Sequence, residues 1–309
     1  MEESMDHPLL SYSSLSPPLI KRMYMGHFLA RWGARMWEFS VGLYMINIWP
    51  DSLLFTAVYG VVEAASTALF GPLIGKLVNQ LTYIQVLRLW LLTQNLSFLV
   101  AGGTVIALLV CDGFRFSAPT VFMLLVAVTN ISGAVGVLST LAGTILIERE
   151  WVVVISNGQP LETLTEMNSV IRRIDLICKL CAPVFTGFII SFVSLKASAI
   201  FFSLWNIVSV WLEYWLLTSV YNGIPSLSES SQRRITKHVR TRSLESASAI
   251  EENESSRLVL ETSGWKRRIS GRLSKLPCFD AWIVYAKQEI VLPGVALALL
   301  FFTVLRSVS

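Results

Sequence analysis

The stretch HFLARWGARMWEFSVGLY, residues 27–44, places Arg31, Arg35 and Glu38 at i, i+4 and i+7, one face of one helix, inside otherwise apolar sequence. An ionisable side chain in hydrocarbon costs about 2.5 kcal/mol or more unless it faces protein or water, so this stripe is expected to look inward, toward a cavity. Other apolar runs carry matching groups: Glu63, one turn beyond Tyr59; the adjacent amides Gln94 and Asn95; and Asn206 with Glu213, seven residues apart and so on one face. Carboxylates and amide carbonyls together are the oxygen set that hard divalent cations prefer, with borderline transition metals accepted in a roomy site. Glu38, Glu63, Gln94, Asn95, Asn206 and Glu213 therefore read as a metal site, expected to converge on one wet pocket. Each position also has a purely structural reading. Arg35 and Glu38 can neutralise each other across a turn, and Glu63 can pair with Arg31 or Arg35. Gln94 and Asn95 can bond neighbouring helices, and Glu213 can be a plain surface carboxylate.

The elements that must hold these groups are membrane spans. Of 309 residues, 53% are hydrophobic and 15% charged, and the mean hydropathy of +0.59 is too high for a soluble domain. Six runs suffice to cross a hydrocarbon layer of about 30 Å: 24–49, 53–78, 87–111, 119–147, 174–194 and 197–221. The apolar residues come in long blocks and not in ten-residue alternations, which excludes a barrel reading. A seventh run, 290–305, is marginal in length and reads as an incomplete helix. The expected fold is all-α and polytopic, with an N-terminal tail (1–19), a six-helix lobe (20–221), a polar and largely disordered cytosolic loop (222–284) and the incomplete helix (285–309). Lys21, Arg22, Lys76, Arg88, Arg149, Arg172 and Arg173 collect on alternate connections, which puts the N-terminus in the cytosol by the positive-inside rule.

No phosphate loop, nucleophile elbow, zinc-protease helix or dinucleotide fingerprint is present, so no enzyme is expected. Nor is there a zinc knuckle, and no nucleic-acid partner is expected. Cys178 and Cys181 form a C-x-x-C with both sulfurs expected on one helix face, read as packing for want of further Cys or His partners.

The strings H-F-L-A-R-W-G-A-R-M-W-E-F, S-L-L-F-T-A-V-Y-G, Q-N-L-S, E-R-E-W-V-V-V, M-N-S-V-I-R-R-I-D and W-N-I-V-S-V-W-L-E-Y-W-L-L resemble, in order, the ferroportins, solute carrier family 40, with a flavour closest to plant members. The similarity runs from about residue 23 to 221 and resumes at 288–294. The resemblance implies the six-helix N-lobe of a major-facilitator-type exporter, two lobes of which rock about a central cavity in alternating access. It implies Fe2+ as transported ion, with Co2+ or Ni2+ as further cargo and Ca2+ as an occupant of an N-lobe site carried over onto Gln94, Asn95, Asn206 and Glu213, and no tightly bound cofactor. It further implies an inner gate at Glu150, Asn168, Arg172 and Asp175. Animal members have an aspartate where this chain has Ala34 and a histidine where it has Glu38, a shift toward oxygen ligands, for which Glu63 is a candidate compensator. The expected setting is a multi-pass protein of the plasma or vacuolar membrane, with divalent metal ions and the lipid bilayer as partners. The other expectation is a non-transporting N-lobe fragment or splice product that binds a divalent cation or associates with a full-length transporter.

Overall fold

The structure, a computed structural model, describes residues 16–110, 118–236 and the single position 296. The expected seventh helix, Cys111, Cys278 and most of the polar loop lie outside the described residues. Six long helices form a bundle: α1 (Pro17–Ile48), α2 (Leu54–Gln80), α3 (Tyr83–Val110), α4 (Pro119–Ser156), α5 (Leu161–Phe192) and α6 (Leu195–Gly223). The last five are long and apolar enough to cross a membrane. With 32 residues, α1 has the length as well, but His27, Arg31, Arg35 and Glu38 interrupt its apolar character. Every turn is short, which makes successive helices antiparallel. Proline opens α1 and α4, where its missing N–H costs nothing, and Ser194 caps α6 by accepting from Ala197 N at 3.3 Å.

Close packing relies on small residues, as expected where lipid gives no hydrophobic drive between helices. A Cβ at Gly143 of α4 would fall on the Trp90 indole of α3, and one at Gly26 of α1 would lie 2.9 Å from Leu217 of α6. Hydroxyl pairs add cross-helix bonds: Thr93 with Ser139 at 2.7 Å and Thr104 with Thr129 at 2.8 Å between α3 and α4, and Tyr44 with Ser198 at 3.0 Å between α1 and α6.

Within α4 the segment Ile145–Trp151 winds as a π-helix before α-geometry resumes at Val152. Such segments are uncommon and frequent at functional sites. Here it carries Glu148, Arg149 and Glu150.

One expectation is revised. Residues 225–236, assigned to a largely disordered loop, form a further helix, α7. Its Leu227, Ser231 and Arg234, at i, i+4 and i+7, share one face; Leu227 is fully buried and Ser231 nearly so. That apolar and hydrogen-bonding face gave the segment something to dock with, despite its Ser, Glu and Gln content.

The core falls into two large apolar clusters at different heights. One gathers Met23, Leu87, Trp90, Leu146, Trp151 and Leu217. The other gathers Trp37, Tyr44, Tyr59, Phe98 and Phe202.

Candidate functional site

Between the two clusters lies a polar belt. On α1 the gap between Ala30 and Met36 holds Arg31 and Arg35, and on α3 the gap between Leu91 and Phe98 holds Gln94 and Asn95. On α5, between Ile171 and Ala182, it holds Asp175 and Cys178. On α6, between Phe202 and Leu217, it holds Asn206 and Glu213, while Glu63 falls between Tyr59 and Val78 of α2. Glu38 lies one turn beyond Arg35, at the edge of the belt.

The charged stripe of α1 lines a cavity of about 280 Å³ with Glu63, Thr67 and Thr140. In it, Arg35 Nη1 pairs with Glu38 Oε2 at 2.6 Å. Across the cavity, Glu63 lies beside the buried hydroxyl of Tyr59. Both carboxylates thus line one space with the Arg35 guanidinium.

Arg31 turns the other way. Its Nη2 donates to Glu148 Oε1 at 2.7 Å and its Nε stands 3.7 Å from Asp175 Oδ1. His27 Nε2 is 3.7 Å from the same Glu148 oxygen, and Lys179 Nζ is 2.9 Å from Asp175 Oδ2. The Arg31 and Glu148 side chains are 12% and 27% exposed, so the pair is largely withdrawn from solvent. Glu148 was not among the residues singled out from sequence. Its signal was a carboxylate directly after an apolar run; Glu150, two residues on, was singled out only through the family resemblance.

The amide and carboxylate set divides. Asn206 Nδ2 donates to Asn95 Oδ1 at 2.5 Å, joining α3 to α6. Glu213, two turns beyond Asn206 on the same face, is buried and accepts from Ser209. Gln94, one residue before Asn95, is rotated about 100° around the helix and accepts from Trp90 Nε1 at 2.5 Å. Trp90 packs under Gly143, so Gln94 looks to α4 while Asn95 looks to α6. Glu38 and Glu63 occupy the α1–α2 cavity. Among the described residues no three His, Cys, Asp or Glu side chains come together as a ready-made metal cluster; the belt is a layer of partly paired oxygens and not one closed ligand shell.

The gate residues are also distributed. Glu150 Oε2 is 3.0 Å from Arg234 Nη1 and accepts from the Tyr83 hydroxyl at 3.0 Å. Asn168 and Arg172, one turn apart, lie exposed on α5, whereas Asp175 is buried against Arg31 and Lys179. Cys178 is buried and Cys181 exposed, so the C-x-x-C does not present two sulfurs together. A 60° offset between positions i and i+3 is enough to split them at the rim of the bundle.

A bundle of apolar helices with charged and amide-bearing side chains among them defines a multi-pass membrane protein. The family model described as Ferroportin1 (FPN1) matches residues 18–307, and the chain belongs to that family, one of transporters and not of enzymes. The chain is 55% identical over 301 residues to solute carrier family 40 member 2 of Arabidopsis thaliana, covering 94% of this chain and 58% of that protein. It is 59% identical over 291 residues to solute carrier family 40 member 1 of Oryza sativa subsp. japonica, with 93% and 56% covered. To human ferroportin it is 32% identical over 300 residues, with 92% and 52% covered. The chain thus spans little more than half the length of these relatives. Among solved structures it is similar to a bacterial homologue of the iron transporter ferroportin in its outward-facing state with soaked iron. There the TM-score is 0.60 and the identity 27%, with 67% of this chain and 50% of that one covered. Against the inward-facing state of such a bacterial homologue the TM-score is 0.58 at 26% identity, with 68% and 52% covered.

Proposed function

We propose that this chain is the N-terminal lobe of an exporter of divalent iron, and that its mid-bundle polar belt is the face it turns to the ion. The observation that carries the reading is the belt itself: oxygen-bearing side chains from α1, α2, α3 and α6, spread over about two helical turns between and beside two apolar clusters. A divalent ion entering that layer exchanges hydration water for carboxylate and amide oxygens. Glu38 and Glu63 supply charge on the α1–α2 side; on the α3–α6 side Glu213 supplies charge and Asn95 and Asn206 neutral amide oxygens, with Gln94 turned to α4. Because the Arg35 guanidinium already neutralises Glu38, an arriving cation must displace it, which makes Arg35 a tethered competitor for the site. The oxygen-only set accepts Fe2+ and also Co2+, Ni2+ or Ca2+, and geometry more than raw affinity sets the choice.

Movement follows the alternating-access scheme, in which this lobe rocks against a second one with Glu150, Asn168, Arg172 and Asp175 near the inner closure. The N-terminus is cytosolic, and the membrane is that of the cell surface or vacuole. The family membership and the likeness to a bacterial homologue of the iron transporter ferroportin support iron as cargo. The test is efflux of radiolabelled iron from loaded cells expressing this chain, alone and co-expressed with a second-lobe segment from a plant relative. Efflux with the second lobe present, reduced at least about tenfold by Glu213→Gln, is the expected result. Efflux that Glu213→Gln and Glu63→Gln both leave untouched removes the site.

A further inference from the structure

Glu150 reaches the end of α4 where the connections between α2 and α3 and between α4 and α5 meet, and there it is claimed by α7. Arg234 makes four contacts at once. Its Nη1 is 3.0 Å from Glu150 Oε2, its Nη2 donates to Val78 O at 2.5 Å and to Leu81 O at 3.1 Å, and its guanidinium lies 4.6 Å from the Tyr83 ring centroid. The two carbonyls belong to the last turn and the exit of α2, where helix geometry leaves acceptors without partners. Three residues earlier, Ser231 Oγ accepts from Tyr83 N at 3.1 Å at the start of α3, and Tyr83 Oη lies 3.4 Å from Ser230 Oγ. A single face of α7 therefore closes the end of α2, the start of α3 and the carboxylate of α4. Its other face, with Glu229, Gln232 and Arg233, is exposed.

We propose that α7 is a latch and Arg234 a positioning residue, which decides whether Glu150 pairs with α7 or with the exposed Asn168–Arg172 face of α5. The proposal rests on the reading of Glu150 as part of the inner closure. With α7 docked, Glu150 is held toward Tyr83 and the α2–α3 turn. With α7 lifted, it loses its cation and is free to pair with Arg172, which is exposed on α5. The latch is held by few side chains, which places it among the elements that open locally at low cost.

The test uses the full 309-residue chain in lipid nanodiscs, with Cys111, Cys178, Cys181 and Cys278 replaced by alanine and Ser231→Cys as a reporter. Position 231 is 1% exposed in the docked helix, so a water-soluble maleimide labels it only when α7 lifts. Glu150→Gln and Arg234→Gln should each speed labelling about tenfold, the change expected from losing one charge-assisted contact. Arg234→Lys, which keeps the charge but not the full set of carbonyl and ring contacts, should label at a rate between the parent and Arg234→Gln. Unchanged labelling in the two neutralised proteins overturns the latch, as does Arg234→Lys labelling as fast as Arg234→Gln. Partner exchange is read separately, from thermal midpoints: Glu150→Gln and Arg172→Gln should be additive in the parent and non-additive once Arg234→Gln is present. If labelling behaves as stated and that coupling stays absent, the partner exchange is refuted and the docking role of Arg234 stands.

Discussion

Arg31 is the residue on which most of the ionic structure converges, since it meets Glu148 of α4 and Asp175 of α5 from α1. Removing one member of a withdrawn ion pair strands the others, and for a pair between the exposed and fully buried limits this costs roughly 1–3 kcal/mol. Arg31→Met should therefore lower the thermal midpoint of the solubilised protein clearly, and Glu148→Gln added to it should restore part of the loss, because the stranded charge is then gone. A midpoint unchanged by Arg31→Met contradicts the network. The sequence made Arg31 conspicuous, because a cation on the face of an apolar helix stands out by type alone. It did not reveal Glu148 as its partner, because pairing depends on the facing of α4, and the π-helical turn at Ile145–Trp151 sets that facing without any marker in residue type.

At the scale of elements, packing between α3 and α4 depends on the missing side chain of Gly143. Gly143→Ala drives a Cβ into the rigid Trp90 indole and should destabilise the fold by about 1–3 kcal/mol. Gly60→Ala meets nothing within 4 Å and should be neutral or mildly stabilising; thermal unfolding of the two variants side by side checks the contrast. Equal effects would place the α3–α4 contact elsewhere. The five apolar helices were legible from hydropathy blocks, and α1 from its length and its inward stripe, since long apolar runs leave a chain few alternatives in lipid. The helix α7 was not legible. Its docking face amounts to Leu227, Ser231 and Arg234, a spacing easily lost among Ser226, Ser228, Glu229, Ser230 and Gln232. Likewise the sequence put Gln94 and Asn95 in one site by adjacency, whereas neighbouring helical positions face different partners.

For the molecule as a whole, the basic residues at alternate ends predict a sidedness that labelling can read. In the cysteine-free chain in sealed cells, Ser52→Cys should react with an impermeant maleimide from outside, and Asn157→Cys only after the membrane is opened. The reverse pattern would invert the topology. Two apolar clusters flank a layer of polar side chains, and the central claim is that this layer takes up a divalent ion. Equilibrium dialysis of radiolabelled Fe2+ against the purified 309-residue chain in nanodiscs, kept reduced and oxygen-free, measures that directly. The account predicts saturable binding whose affinity falls about tenfold or more in Asn206→Ala and in Glu213→Gln. Binding no greater than that of empty nanodiscs, or equal in parent and both variants, contradicts it.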